Sequence, residues 1–155
     1  MTECALCLTT GGHLLWENDQ LRIIDALDPL YPGFTRVIWK AHVAEMTDLT
    51  PAEQLDLMQV VLKVESVQRA MLEPDKINLA AFGNMVPHLH WHIIPRWRDD
   101  AHFPQPVWAN LPEANEITNA LHEKRRSAIN QLIPAYHAEL MRQMQSMKAL
   151  TGNKT

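Results

Sequence analysis

The sequence predicts an α+β fold in the order β-β-β-α-β-β with helices after it, and three observations carry that expectation. Short apolar runs parted by turn residues occupy both ends of residues 14–94, one capped stretch with apolar residues at spacings of three and four lies between them, and helix formers dominate from Leu111 onward. At 155 residues, with 46% apolar and 21% charged, the chain suits one soluble globular domain with one core. No internal repeat, low-complexity tract or Gly/Ser linker divides it.

Leu14 to Trp16 and Leu21 to Ala26 are apolar runs separated by Glu17-Asn18-Asp19-Gln20, a polar cluster that turns a hairpin. Two prolines and a glycine in Asp28-Pro29-Leu30-Tyr31-Pro32-Gly33 forbid helix, and Phe34 to Trp39 follows as a third strand rich in β-favouring side chains. Thr50-Pro51-Ala52-Glu53 starts a helix: a Thr cap, a Pro where no amide hydrogen is needed, and a Glu three residues past the cap. Leu57, Val60, Val64, Val67 and Met71 then form one buried stripe until Glu73-Pro74-Asp75 stops the helix. Ile77 to Phe82 and Leu89 to Ile94 are two further strands, joined through Gly83-Asn84-Met85-Val86-Pro87. Past Leu111, Ile117, Leu121, Ala128 and Leu132 form the buried face of a helix that stops near Pro134. A second, Met-rich helix runs from Ala135 to Leu150, with Met141, Met144 and Met147 as core or interface filling, and Thr151 to Thr155 is expected to fray.

Charge removes one class of function. The 14 basic and 18 acidic residues leave a net charge of -4, and the Lys and Arg residues are scattered, so no basic face for nucleic acid is expected. Met1-Thr2-Glu3-Cys4 brings an acid and no cationic lead into an apolar core, and no later stretch approaches the roughly 18 to 20 apolar residues of a membrane span. The expectation is a cytoplasmic protein with no membrane partner. Cys4 and Cys7 could close only a very small disulfide loop, so a metal pair or a redox pair is the better reading.

The segment that carries chemistry is Val86-Pro87-His88-Leu89-His90-Trp91-His92-Ile93-Ile94-Pro95-Arg96. Side chains alternate faces along a strand, so His88, His90 and His92 share one face while Leu89, Trp91 and Ile93 point into the core. Imidazoles titrate near neutrality, so one ring can act as a nucleophile while neighbours donate to charge that develops on phosphate oxygens. The same spacing also suits a polar face of an antiparallel strand or a structural metal clip. A Walker-type glycine loop, a GxSxG elbow and a GxGxxG fingerprint are all missing from the sequence, which removes ordinary kinase, esterase and dinucleotide dehydrogenase readings.

His88-Leu89-His90-Trp91-His92-Ile93-Ile94 resembles the signature of the histidine triad (HIT) nucleotide hydrolases and transferases, His-φ-His-φ-His-φ-φ with φ apolar. The likeness continues upstream through Asn78, Gly83-Asn84, Val37-Ile38-Trp39-Lys40-Ala41-His42-Val43, Asp48-Leu49-Thr50 and Cys4-Ala5-Leu6-Cys7, and covers about the first 96 residues. It implies a HIT-like fold: a five-stranded antiparallel sheet, a long helix, and usually a homodimer. Residues 1–110 would be the HIT domain and 111–155 a C-terminal helical extension packed on that domain or on a dimer partner.

The resemblance also implies a mechanism. His90 would attack the α-phosphorus of a purine nucleotide to form a covalent nucleotidyl-histidine that water hydrolyses, His92 would donate to the phosphate, and His88 would orient neighbours or serve a metal. Histidine at position 92, where transferases of the family tend to carry glutamine, resembles the hydrolase side. Substrates would be dinucleoside polyphosphates or nucleoside phosphoramidates; a nucleotide-binding regulatory module with weak turnover is the alternative. Asn84 stands where glutamine is common, Asn78 is the counterpart of a phosphate- or leaving-group-binding asparagine, and Asp25 of a ribose-binding acid, although a turn aspartate explains Asp25 equally well. Cys4, Cys7, His42 and His88 match a four-ligand structural zinc site of bacterial relatives, and no organic cofactor is expected. His13, His102, His122 and His137 are expected in solvated or structural roles.

Overall fold

The computed structural model describes residues 4–151, so the expected fraying beyond Thr151 and the lead-in at Met1 to Glu3 lie outside the described residues. After a single helical turn, α1 (Ala5–Leu8), come the strands β1 (His13–Glu17), β2 (Leu21–Asp25) and β3 (Thr35–Trp39), helix α2 (Pro51–Leu72), strands β4 (Lys76–Ala80) and β5 (His90–Arg96), and helix α3 (Glu116–Thr151). The strands form one antiparallel sheet in the order β1-β2-β3-β5-β4. The expected α+β order with five antiparallel strands is what the chain adopts.

The β1–β2 hairpin closes as its polar cluster predicts, with the Asn18 side chain accepting from the amides of Gln20 (2.9 Å) and Leu21 (2.8 Å). The β2–β3 connection ends at Gly33, whose backbone is left-handed (φ +84°) and where an added Cβ would come within 2.8 Å of Leu72. Helix α2 starts on the predicted capping box, Thr50 accepting from the Glu53 amide while the Glu53 carboxylate accepts from Thr50, with Pro51 at its first position. It ends where Glu73 turns left-handed (φ 47°) ahead of Pro74. Its buried side is Leu57, Val60, Val61, Val64, Val67, Gln68 and Leu72, the expected stripe widened by one column, with Leu72 in place of Met71, which is only half-buried.

That stripe lies on one face of the sheet, against Leu15, Leu21, Ile23, Val37, Trp39, Leu89 and Ile93. The opposite face carries Ile24 and Ile38 beneath Leu6, and Ile94 with Tyr31 and Phe34. Gln68 crosses the core to donate to the carbonyls of Gly33 (2.9 Å) and Ile93 (3.0 Å), fixing α2 to the strand that carries the histidines.

The C-terminal region departs from expectation in three ways. Residues 111–115 are not helical, and α3 begins at Glu116. Pro134 does not end the helix; it lies inside it, exposed. The face with Ile117, Leu121, Ala128 and Leu132 is solvent-exposed, while Ile129, Tyr136, Leu140 and Met144 are buried against α2 and the sheet. The reason for the second departure is a contest of magnitudes. An interior proline costs about 3 kcal/mol through a lost hydrogen bond and a ring clash, whereas burying Leu140 and Met144 alone contributes roughly 1.5–3 kcal/mol each. The third follows because Ile129, Ile133, Tyr136, Leu140, Met144 and Met147 form a longer stripe at three/four spacing than the run chosen from sequence, and the longer stripe wins the core. Tyr136 seals the join, its hydroxyl 2.7 Å from that of Thr35. Among the described residues no helix is long and apolar enough to cross a membrane.

Candidate active site and metal-binding cluster

Strand β5 presents His90 and His92 on the face away from α2, with ring centroids 4.7 Å apart and nearly perpendicular planes. Leu89 and Ile93 enter the core and Trp91 packs against it, as the alternation requires. His88 differs from expectation: the regular strand begins at His90, and His88 stands just before it, buried and turned to another task. The backbone carbonyl of His88 accepts from Nδ1 of His90 at 2.6 Å. A carbonyl can only accept, so Nδ1 of His90 carries the proton and Nε2 keeps its lone pair.

His92 is enclosed by aromatic rings: Trp108 at 5.2 Å, Phe34 at 5.5 Å and Phe82 at 6.2 Å between centroids. Its Nδ1 is buried without a partner. Burial first, then the neighbouring His90 and Arg36, push its pKa down to about 3; burial likewise holds His90 below the ordinary imidazole value. Both rings are neutral at pH 7.

The two rings open onto a cavity of about 370 Å³ whose other walls are the segment Phe82 to Val86 and Trp108. Of the residues expected to bind nucleotide, Asn84 lines this cavity, and Asn78 and Asp25 do not. Asn78 sits on β4 with its side-chain oxygen accepting from Arg96 (2.9 Å). Asp25 ends β2, buried, accepting from the Leu27 amide (2.7 Å) and paired with Nε2 of His137 on α3 (2.9 Å).

Sequence reasoning missed Phe82 as a wall of the cavity and did not place Trp108 there. Phe82 follows from the loop that must lead back into the histidine strand, but Trp108 is brought there by a tertiary device. Buried Asp100 accepts from Nε (2.6 Å) and Nη2 (2.9 Å) of buried Arg96, and from the amides of His102 and Phe103, while Arg96 also donates to the carbonyl of Gln105. This clamp ties the loop bearing Trp108 to the end of β5.

A second cluster forms where the N-terminus meets the ends of β3 and β5. Side-chain ligand atoms of Cys4, Cys7, His42 and His88 all lie within 4.8 Å of one another. Nδ1 of His88 is 3.4 Å from both sulfurs and 3.3 Å from Nδ1 of His42, which is itself 3.4 Å from the Cys7 sulfur. Nε2 of His88 donates to the Trp39 carbonyl (2.6 Å), which fixes the tautomer and aims the Nδ1 lone pair into the cluster. Two thiols and two imidazoles converging in this way can hold a metal ion.

Residues 10–99 match the HIT domain family. The chain belongs to the HIT family. Over 111 residues it is 37% identical to the asymmetrical bis(5'-nucleosyl)-tetraphosphatase of Schizosaccharomyces pombe, a segment covering 68% of this chain and 60% of that one. Over 83 residues it is 35% identical to the AP-4-A phosphorylase of Mycobacterium tuberculosis, covering 50% of this chain and 43% of that one. The chain thus spans about half the length of these curated relatives. Among solved structures, a histidine triad protein from Bradyrhizobium japonicum is similar with a TM-score of 0.62 and 30% identity, covering 81% of this chain and 93% of that one. One from Marinobacter aquaeolei is similar with a TM-score of 0.61 and 27% identity, covering 79% and 92%. The HIT match stops short of α3, so it spans the sheet, α2 and both histidine clusters except the two cysteines.

Proposed function

We propose that this HIT protein is a nucleotide hydrolase that cleaves at the α-phosphate of dinucleoside polyphosphates or nucleoside phosphoramidates through a covalent nucleotidyl-histidine. The observation that carries the reading is the His90 ring, locked by the His88 carbonyl with its Nε2 lone pair free, beside a second neutral imidazole on a cavity wall. Relatives named for diadenosine and dinucleoside tetraphosphate chemistry support the substrate class.

The Nε2 lone pair forms the bond to the α-phosphorus, and the bond to the leaving group breaks with its electron pair departing on the leaving oxygen or nitrogen. An amine leaving group takes a proton from solvent water as it departs, the count being restored when the attacking water later releases its own; a polyphosphate needs none. Water then attacks the same phosphorus, the P–N bond breaks, its pair returns to Nε2, and the water's proton passes to solvent. His92 lends an N–H to the phosphoryl oxygens, and Asn84 with the backbone of the Phe82 to Val86 loop lines the other side. The nearby Trp108 and Phe82 rings, 4.8 Å apart, give a purine an apolar wall and exclude water. Asn78 acts behind the cavity through Arg96, and Asp25 holds α3 through His137 on the other face of the sheet.

The reading includes a structural zinc on Cys4, Cys7, His42 and His88. A tetrahedral zinc with sulfur at about 2.3 Å and nitrogen at about 2.0–2.1 Å sets its nitrogens roughly 3.3–3.4 Å apart and each sulfur roughly 3.6 Å from each nitrogen, close to the spacings of this cluster. A metal held there by Cys4, Cys7, His42 and His88 would brace His88 and, through its carbonyl, the tautomer of His90, leaving bond breaking to His90 and His92. The protein would work as a cytoplasmic homodimer on a purine nucleotide, with no nucleic-acid or membrane partner and no organic cofactor.

The test is chromatography of AMP released from diadenosine tetraphosphate and from an adenosine phosphoramidate. His90→Ala is expected to abolish release from both while still binding AMP. Release that survives in His90→Ala overturns the covalent route; AMP binding without turnover in the parent protein moves the reading to a regulatory nucleotide-binding module.

A further inference from the structure

On β3, Arg36 is the direct cross-strand partner of His92, so the two side chains rise from the same face of the sheet as neighbours. The Arg36 guanidinium lies over the Phe34 ring at 5.4 Å, and that ring meets His92 at 5.5 Å. Its Nε is sealed from solvent with no hydrogen-bond partner, and among the described residues it has neither a hydrogen bond nor an ion pair. Asp28 is the acid whose charge reaches it, but no ion pair joins the two, and one Asp28 oxygen, Oδ1, accepts from the amides of Leu30 (2.9 Å) and Tyr31 (3.2 Å).

Arg22, on the same face of the neighbouring strand, shows the contrast. Its Nε donates to the carbonyl of Thr10 (3.0 Å) and its Nη2 to those of Leu6 (2.5 Å) and Thr9 (3.1 Å), a structural arginine held within the fold. Arg36 is half-buried yet unspent, and a partly desolvated cation without a partner gains when an anion arrives from outside to meet it. The chain as a whole is net negative, at -4, and repels a polyanion, so a phosphate needs a local positive charge to settle here. The neutral imidazoles do not supply one. A planar guanidinium also matches two phosphate oxygens at once, which a lysine cannot.

We propose that Arg36 is the anion contact of this site: its guanidinium receives the non-bridging oxygens of the α-phosphate and holds that phosphate against the His90–His92 pair. The inference rests on the nucleotide reading above and extends it, since it makes the phosphate, rather than the nucleoside, the part of the ligand that the β3 side of the site recognises. Arg36 gives up no proton and forms no bond; it acts by charge.

Calorimetric titration with AMP and with adenosine, on the parent protein, Arg36→Met and Arg36→Lys, tests this. Arg36→Met keeps an unbranched stem and removes the charge. It is expected to weaken AMP binding on the order of 10- to 100-fold and leave adenosine binding unchanged, with Arg36→Lys between the two for AMP. In the parent, added salt should weaken AMP binding and not adenosine binding, a measurement that stands even where a variant fails to fold. Equal losses for AMP and adenosine in Arg36→Met, or AMP binding that neither the variant nor salt disturbs, overturns the proposal and leaves the nucleotide reading standing. A parent protein that binds no AMP overturns both.

Discussion

His92 has to stay neutral in the fold, because burial, then His90 and Arg36, hold its pKa near 3 against about 6.5 in an unfolded chain. Above pH 6.5 neither state binds the proton and the group leaves stability alone. As pH falls from 6.5 towards 3, the unfolded chain takes up the proton and the folded one does not, so stability drops by up to about 1.4 kcal/mol per pH unit from this residue. Urea unfolding between pH 7 and 4.5 should therefore give a shallower pH slope for His92→Gln than for the parent, by about one proton; parallel slopes would remove this account. The alternation of His90 and His92 was legible because a strand's period of two is written directly in Leu89, Trp91 and Ile93. The separate placement of His88 was not, since it depends on where the ladder to β3 ends and on the Trp39 carbonyl that captures its ring. Arg36 carries no motif at all; its interest arises only from the register that sets it opposite His92.

At the scale of elements, the capped helix α2 follows from Thr50, Pro51 and Glu53, local signals that need no tertiary partner. Helix α3 is not legible in the same way, because its outcome is decided by competition between two apolar columns, and no local signal says which one the sheet and α2 will accept. The buried column makes a direct prediction. Met144→Ala, with Met144 1% exposed, should cost about 2–5 kcal/mol in urea unfolding. Leu121→Ala, with Leu121 51% exposed on the other column, should stay within about 0.5 kcal/mol. A reversed order would return α3 to the face first expected from sequence. The same helix meets the sheet again through His137, which pairs with Asp25 at the end of β2 on the face that carries Ile23, away from His90 and His92. That placement explains why an acid near the expected ribose position is absent from the cavity wall: it rises on the α2 side of the sheet, where the Leu27 amide and α3 take its oxygens.

Across the whole molecule, the Cys4–Cys7–His42–His88 cluster joins three segments far apart in sequence, the N-terminal turn, the exit of β3 and the approach to β5. Among the described residues, the other ties of α1 to the sheet are the small apolar cluster of Leu6 on Ile24 and Ile38 with Val86, and the Arg22 bond to the Leu6 carbonyl on β2. A metal bound there acts on the folded state alone, since in the unfolded chain the four ligands have no common geometry. At a free metal concentration of about 1,000 times Kd it would add about 4 kcal/mol, and in a domain of this length each kcal/mol shifts Tm by roughly 2–4 °C. Purified protein should then carry one zinc per chain by atomic absorption, and both exhaustive chelation and Cys7→Ser should lower Tm by about 10 °C or more. The cluster and the cavity share only the His88 backbone, so AMP release measured well below the melting temperature should survive chelation at reduced rate rather than vanish. Zinc-free protein with an unchanged Tm would show that the cluster closes by thiol and imidazole hydrogen bonds alone. Activity lost entirely on chelation of still-folded protein would instead put the metal inside the chemistry, against the separation of the two histidine sites that the fold builds.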